Sequence, residues 1–79
     1  MRLDKWLKVS RLIKRRTVAQ EACDGGRVSV NGVVAKPSRD VKVGDTVEVS
    51  VGTKTLRAEI LSVQETVRKD DAAAMYKEL

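Results

Sequence analysis

The sequence predicts an α+β fold in which two N-terminal helices pack against a small, mostly antiparallel sheet and a short helix ends the chain. Up to residue 24 the apolar residues recur at the spacing of a helix face, and from residue 27 they alternate with a period of two. An Asn-Gly pair at 31–32 separates two of the alternating runs, which is the typical signal of a tight β-hairpin. With 79 residues, 42% of them apolar, the chain is expected to fold as one globular domain.

The first helix is predicted over residues 2 to 9. Its apolar stripe consists of Leu3, Trp6 and Leu7. Asp4 lies near the start of this helix, where the helix dipole favours a carboxylate. A second interpretation is that Asp4 fixes the side chain of a neighbour, such as Arg2 or Lys5, in one direction. The sequence leaves both roles of Asp4 open.

Trp6 also has two interpretations. Its place on the apolar stripe favours a position in the core, because such stripes usually face inward. The alternative is that the indole is exposed and stacks on an unpaired RNA base. We expect the core position.

A second helix is predicted to start at Thr17. Thr17 followed by Gln20 fits a capping box, in which two side chains satisfy the first free N–H groups of a helix. Gly25-Gly26 is expected to end the helix, since glycine adopts the left-handed cap conformation without strain. The residues expected to be buried are Val18, Ala19, Ala22 and Cys23.

The sheet is predicted from alternating valines and the turns between them. Val28 and Val30 precede the Asn31-Gly32 turn, and a second strand follows at 33–35 until Lys36-Pro37-Ser38 breaks it. A turn at 43–45 leads to a third strand, whose apolar residues are Val47, Val49 and Val51. Gly52-Thr53 links it to a fourth, with Leu56, Ala58 and Ile60.

The C-terminal segment is predicted to form a short helix from Asp70 onward. Acidic residues stand in its first turn, where they complement the helix dipole. Its apolar stripe consists of Ala72, Met75, Tyr76 and Leu79. We expect this stripe to close the core rather than to bind a partner.

The positive charge of the chain is concentrated at its N-terminal end. The whole chain carries +5, whereas the first sixteen residues hold seven basic side chains and one acid, which gives 7 − 1 = +6. The basic residues are Arg2, Lys5, Lys8, Arg11, Lys14, Arg15 and Arg16. Solvated surfaces usually mix both signs, so this excess favours binding to phosphates over a mere solubility device. Six phosphate contacts would give a log–log salt slope of roughly −4 to −5.

Catalysis is not expected. Histidine is absent and Cys23 is the single cysteine, so nucleophile–base pairs and thiolate or imidazole metal sites lack their ligands. The chain also has no glycine-rich phosphate loop, and we expect no cofactor and no metal. One unpaired cysteine without a secretion signal is typical of the cytoplasm, and no apolar run is long enough to span a membrane.

The order of motifs resembles an RNA-binding family, the S-four domain, named after small-subunit ribosomal protein four. The resemblance rests on Arg2-Leu3-Asp4-Lys5, then Arg16-Thr17-x-Ala19, then the run from Gly26 to Gly32. It covers residues 1 to 51, with 52–79 as the remaining strand and C-terminal helix. It implies two helices lying against a strongly bent small sheet.

Within that superfamily the chain is similar to stand-alone members. Four segments resemble bacterial ribosome-associated quality-control factors of the RqcP type and the Hsp-fifteen group. They are the first seven residues, Ala35-Lys36-Pro37-Ser38, Gly44-Asp45 and residues 72–76. The chain ends soon after Tyr76, without the basic C-terminal extension of the Hsp-fifteen type, which favours the RqcP type.

The resemblance implies a partner and a site. It implies binding to large ribosomal subunits that hold peptidyl-tRNA, contact with rRNA and tRNA, and help to an RqcH-type factor that adds C-terminal alanine tails. It also implies a monomer off the ribosome. Its RNA-contacting positions fall on Arg2, Lys5 and Arg16, with Arg11, Lys14 and Arg15 as further candidates.

Three other functions remain open at this point. The chain could act as an Hsp-fifteen-like recycling factor for large subunits with stranded peptidyl-tRNA. It could be the RNA-recognition module of a modifying enzyme, although nothing in it supplies a catalytic domain. It could also be a basic adaptor for an acidic protein.

Overall fold

A computed structural model describes residues 1–65 and 67–79. The helices are α1 Leu3–Val9 and α2 Arg16–Asp24, and a 3₁₀ helix covers Lys69–Met75. The strands are β1 Val28–Val30, β2 Val33–Val34, β3 Thr46–Val51, β4 Lys54–Ile60 and β5 Tyr76–Glu78. The predicted α+β class is therefore confirmed.

The five described strands form one sheet in the order β2-β1-β3-β4-β5, and each neighbouring pair is antiparallel. In the β1–β3 register Val28 stands opposite Val49 and Val30 opposite Val47, so all four valines point to the same face. All four are buried. The period of two therefore places one face of the sheet toward the helices.

The predicted Asn-Gly hairpin is confirmed. Asn31 and Gly32 have φ angles of 52° and 82°, the left-handed conformations that a type I′ turn requires, and β1 pairs with β2 across them. The Asn31 side chain also donates to Asp45 Oδ1 at 3.1 Å and accepts from the Thr46 amide at 2.9 Å. The hairpin is thereby tied to the start of β3.

The core lies between α1, α2 and the sheet. Leu3, Trp6 and Leu7 are fully buried there, so the stripe predicted for α1 is confirmed. The indole Nε1 of Trp6 donates to the Ser62 carbonyl at 3.0 Å, and the ring meets Tyr76 edge-on at a centroid distance of 6.5 Å. Trp6 is a core residue, and the base-stacking interpretation is wrong for this structure.

The start of α1 is satisfied by the loop that follows β2. The Leu3 amide donates to the Arg39 carbonyl at 2.8 Å, and the Asp4 amide donates to the Pro37 carbonyl at 3.1 Å. These two amides are among the four that a helix N-terminus leaves without partners. The loop therefore fixes the position of Arg2 and Asp4 relative to the sheet.

The predicted capping box at Thr17 is wrong. Helix α2 begins one residue earlier, at Arg16, and within the described residues no side chain caps it. The Gln20 side chain donates to Asp4 instead, at 2.9 Å. A hydrogen bond to the ionised, buried carboxylate of Asp4 is stronger than one to a backbone amide. The free N–H groups at the start of α2 face solvent, where water satisfies them without the Gln20 side chain.

The burial predicted for α2 is correct except at one position. Ala19, Ala22 and Cys23 are buried, whereas Val18 is 45% exposed. The inward stripe follows the spacing of 19, 22 and 23, and Val18 lies about 100° around the helix from Ala19. The end of α2 is as predicted, with Gly26 at a φ of 74°.

The C-terminal segment differs from the predicted helix. Lys69–Met75 is a 3₁₀ helix, and Tyr76–Glu78 form β5, which pairs with Ala58–Ile60 of β4. Ala72 and Met75 are buried, and their separation of three residues matches one 3₁₀ turn. The predicted helical stripe does not continue beyond Met75, because the free edge of β4 offers hydrogen-bond partners to the backbone of Tyr76–Glu78. Leu79, the last residue of the predicted stripe, is 57% exposed.

One strand prediction also needs correction. Val47 and Val49 are buried, but Val51 is 67% exposed. The apolar alternation of β3 therefore continues past Val49, the last residue of this strand in the buried core. Gly52, at a φ of 60°, makes the turn that the sequence predicted.

Candidate RNA-binding surface

The site is organised around the carboxylate of Asp4. Asp4 is the second residue of α1, and its side chain is 0% exposed. The amide of Lys5 donates to Asp4 Oδ1 at 2.8 Å. Burial of an ionised carboxylate is costly unless several donors satisfy it, so the identity of the other donors decides what this residue does.

Three side chains donate to Asp4. Arg2 places Nε 3.2 Å from Oδ1 and Nη2 3.3 Å from Oδ2. Arg16 donates from Nη2 to Oδ1 at 3.4 Å, and its buried Nε lies 3.2 Å from Oδ2 as an ion-pair contact without hydrogen-bond geometry. Gln20 donates to Oδ2. We call Arg2, Asp4, Arg16 and Gln20 the Asp4 cluster; it joins the two helices.

The two guanidinium groups remain accessible. The Arg2 side chain is 52% exposed and the Arg16 side chain 41% exposed, whereas Asp4 is buried beneath them. A guanidinium has five donors in a planar fork, so it can hold Asp4 with one edge and still present donors to solvent. Two such groups side by side suit the oxygens of a phosphate backbone.

The Asp4 carboxyl is ionised at neutral pH. Burial raises its pKa, but hydrogen bonds from Gln20, Arg16 and the Lys5 amide, together with the charge of Arg16, outweigh burial and hold the pKa below its ordinary value. The cluster therefore contains one anion and two cations. Its net charge is +1, and the positive end faces outward.

Lys5 faces a different part of the surface. Its ammonium forms an ion pair with Glu65, and the Lys5 side chain is 33% exposed. A groove of about 320 Å³ opens beside this pair. We call it the basic groove; its charged lining residues are Lys5, Lys8, Arg11, Lys14 and Glu65.

The link between the helices positions these charges. Ser10 is buried at the end of α1, and its hydroxyl donates to the Leu7 carbonyl at 3.1 Å. Arg11 then adopts a φ of 62°, the left-handed conformation that usually follows a helix end, and its amide donates to Lys8. This reversal brings Arg11 and Lys14 to the groove beside α1.

The sequence-predicted site residues thus divide into two groups. The structure brings Arg2 and Arg16 together in the Asp4 cluster, and Lys5, Arg11 and Lys14 together in the basic groove. Arg15 belongs to neither: it is the exposed residue before α2. Of the two roles considered for Asp4, the hydrogen bonds of Arg2 support the fixing of a neighbour, and the side chain of Lys5 is not the one fixed.

Sequence reasoning missed three participants. Gln20 was assigned to a helix cap, Lys8 was not among the candidates, and Glu65 lies far away in the chain. The spacing of Arg16 and Gln20, four apart on one helix face, was the available signal for Gln20. No pattern in the sequence joins Glu65 to Lys5.

The thiol of Cys23 is buried and is not placed for chemistry. Burial raises the pKa of the Cys23 thiol to about 11, with smaller contributions from the nearby charges of Asp4 and Asp24. A thiol with this pKa is protonated at neutral pH and a poor nucleophile. Among the described residues, no group of three or more potential ligands is placed to hold a metal ion.

Membrane insertion through a helix finds no support in the described residues, since none of their helices has the length and apolar character needed to span a bilayer.

Comparison with known proteins identifies relatives across nearly the whole chain. The chain is 56% identical over 77 residues to the "RQC P-site tRNA stabilizing factor" of Streptococcus pneumoniae, covering 98% of this chain and 88% of that protein. It is 35% identical over 79 residues to heat shock protein 15 of Escherichia coli, covering 99% of this chain and 59% of that protein.

A solved structure agrees with these relatives. The trimeric structure of heat shock protein 15 from Vibrio cholerae matches with a TM-score of 0.93 and 34% identity, covering 100% of this chain and 81% of that chain. A family model described as "S4 domain", the S-four domain of the sequence analysis, matches residues 1–47. That span contains the Asp4 cluster and every basic residue of the basic groove. The chain belongs to the S4 domain family, among relatives named RQC P-site tRNA stabilizing factor.

Proposed function

We propose that the chain is an RNA-binding factor of ribosome-associated quality control. In this proposal it binds large ribosomal subunits that carry peptidyl-tRNA, contacts both rRNA and tRNA, and supports the addition of C-terminal alanine tails by an RqcH-type factor. The observation that carries the proposal is the Asp4 cluster, in which a buried carboxylate holds two half-exposed guanidinium groups side by side.

The proposed contacts follow from this arrangement. Arg2 and Arg16 bind phosphates of structured RNA, and Lys5 contacts the backbone beside them. Arg11, Lys14 and Arg15 add further contacts. Structured RNA is recognised largely through its shape, phosphates and 2′-hydroxyls, which suits a rigid platform better than a flexible basic tail. The ion pairs with Asp4 keep this platform rigid before RNA binds.

The names of the relatives support the choice of RNA. The relatives at 54–56% identity are named for stabilising tRNA in the P site, and the identity extends over 96–98% of this chain. In the proposal the whole chain acts as a single domain in the cytoplasm, with its RNA-recognition core in residues 1 to 51. It works without breaking bonds, and it is a monomer off the ribosome.

Crosslinking followed by sequencing of the attached RNA tests this proposal. The full chain is crosslinked in cells in which ribosomes stall, and the recovered RNA is mapped. We expect enrichment of large-subunit rRNA and tRNA. Recovery of other RNA classes alone, or a partner that survives nuclease treatment, contradicts the proposal.

A second candidate function is recycling of large subunits with stranded peptidyl-tRNA. It is favoured by the likeness to heat shock protein 15, which spans 99% of this chain in sequence and all of it in structure. A tailing reaction reconstituted with and without the chain separates the two. Longer alanine tails in its presence favour the quality-control role, and unchanged tails with subunit binding retained favour the recycling role.

A further inference from the structure

The basic groove holds an anion of its own. Four basic side chains line it, and Glu65 is the one carboxylate among its lining residues, so these residues sum to 4 − 1 = +3. Glu65 pairs with Lys5, and it reaches the groove from the segment that follows β4, sixty positions away in the chain. The pair shows that the ammonium of Lys5 accepts an anion in this groove.

We propose that Glu65 occupies an anion position in the basic groove, beside Lys5, until a phosphate of the RNA displaces it. This inference rests on the proposed function, because it takes RNA as the ligand. To the contacts already proposed for Lys5, Arg11 and Lys14 it adds a competitor within the protein itself.

The chemistry of the two anions supports the exchange. A glutamate carboxylate and a backbone phosphodiester each carry one negative charge on oxygens that accept hydrogen bonds. A lysine ammonium is a compact charge that accepts either partner without a fixed geometry. Lys5 can therefore change partners with little rearrangement of the groove.

The ion pair of Glu65 with Lys5 is exposed and can be broken at low cost. Its side chain is 69% exposed, and an exposed ion pair contributes little to stability because water and salt screen it. Lys5 holds the pKa of Glu65 below its usual range by hydrogen bond and by charge, so Glu65 is ionised at neutral pH. The competitor is thus present and weakly held.

The contrast with Asp4 shows why the two sites differ. Asp4 is buried beneath its arginines and cannot be displaced without exposing a core position. Glu65 lies on the surface of its groove. The Asp4 cluster is therefore a permanent platform, whereas the basic groove is available only to RNA that brings a phosphate close enough to Lys5 to replace Glu65. RNA lacking that phosphate binds more weakly.

A double-mutant cycle tests the inference. The full chain is prepared as wild type, Glu65→Gln, Lys5→Met and the double variant, and Kd for large ribosomal subunits carrying peptidyl-tRNA is measured over a range of salt concentrations. Glu78→Gln is the matched control, since it removes the same charge from β5, whose residues do not line the groove. Thermal unfolding of each variant verifies that it is folded.

We expect Glu65→Gln to tighten binding roughly two- to fivefold more than Glu78→Gln does. We also expect the magnitude of its log–log salt slope to rise by about 0.7–0.9, because a phosphate at Lys5 then releases a counterion instead of displacing Glu65. In the Lys5→Met background this gain should fall to that of the control.

Equal effects of Glu65→Gln and Glu78→Gln would overturn the inference, as would a gain that persists without Lys5. Either result would leave the proposed function standing if the wild-type chain still binds large subunits. Absence of binding by the wild-type chain would instead overturn the proposed function and this inference with it.

Discussion

Arg16 Nε lies 3.2 Å from Asp4 Oδ2, although twelve positions of the chain separate the two residues. The same carboxylate receives the guanidinium of Arg2 and the amide of Gln20. The contact that fixes α1 against α2 is therefore also the contact that aligns the two arginines of the candidate site. The contact between the two helices and the alignment of the two arginines therefore involve one buried charge.

Replacement of Arg16 should weaken RNA binding without unfolding the domain. Arg16→Ala is expected to lower the affinity for large ribosomal subunits roughly tenfold, which is the size of one lost charge-assisted hydrogen bond. The fold should survive because Arg2 and Gln20 still satisfy Asp4. Arg16→Lys should give an intermediate affinity, since an ammonium lacks the planar fork that holds Asp4 and a phosphate together.

Co-sedimentation with large subunits in moderate salt measures this effect. Arg57→Ala serves as the control, because it removes one positive charge from β4 at a residue paired with Glu48. Unchanged co-sedimentation of Arg16→Ala would rule out the assignment of Arg16 to the site.

Replacement of Trp6 should affect stability alone. Trp6→Phe removes the hydrogen bond from Nε1 to the Ser62 carbonyl and part of the packing against Tyr76. We expect the free energy of unfolding to fall by about 1–3 kcal/mol. Because the ring is fully buried, the affinity of the folded variant for RNA should stay within twofold of wild type. Urea unfolding and RNA titration at 10 °C measure the two effects, and a folded variant that loses RNA binding would contradict the core role of Trp6.

The contribution of Asp4 to stability should disappear in acid. The folded-state pKa of Asp4 lies below its ordinary value of 3.8, so its contribution is present above that pH and is lost as pH falls through the folded-state pKa. Asp40 and Glu65 also have lowered pKa values, so the wild-type curve alone does not isolate Asp4.

The difference in unfolding free energy between wild type and Asp4→Asn does isolate it. That difference should be constant near neutral pH and should shrink as pH falls through the folded-state pKa of Asp4, which lies below 3.8. Chemical unfolding at stepwise pH measures it. A difference that grows in acid would show that folding raises the pKa of Asp4, which would contradict this expectation.

Replacement of Arg11 by glycine should relieve backbone strain. Arg11 has a φ of 62°, a conformation that costs a residue with a side chain roughly 1 kcal/mol relative to glycine. Arg11→Gly is therefore expected to be at least as stable as wild type, and Arg11→Ala less stable than Arg11→Gly. Thermal unfolding of both variants measures this order. An Arg11→Ala variant more stable than Arg11→Gly would contradict the strain argument, and an Arg11→Gly variant less stable than wild type would mean that contacts of the arginine side chain outweigh the strain.

Local patterns in the sequence were sufficient to predict most of the fold. The helix stripe of Leu3, Trp6 and Leu7, the Asn31-Gly32 turn and the alternating valines each depend on neighbours within a few residues, and each is confirmed. The β5 strand could not be predicted in this way. Its stability comes from pairing with the edge of β4, which is distant in the chain. The alanines at 72–74 just before it favour a helix by local propensity.

The candidate site shows the same division. The excess of charge at the N-terminal end identified seven basic residues, because charge is visible in the sequence itself, and the resemblance to the S-four domain selected Arg2, Lys5 and Arg16 among them. The separation of these residues into a cluster and a groove depends on contacts across twelve to sixty positions, such as those of Arg16 with Asp4 and of Lys5 with Glu65. The role of Gln20 was hidden for the same reason.

The most direct test of the account is the affinity of Asp4→Asn for large ribosomal subunits, compared with that of Asp24→Asn. Both variants raise the net charge of the chain by one, and Asp24 is an exposed residue at the end of α2. If charge alone governed binding, both would bind RNA more tightly. If Asp4 aligns Arg2 and Arg16, Asp4→Asn should bind roughly fivefold or more weakly while remaining folded, and Asp24→Asn should bind as well as wild type or better. Equal or tighter binding by folded Asp4→Asn would contradict the account.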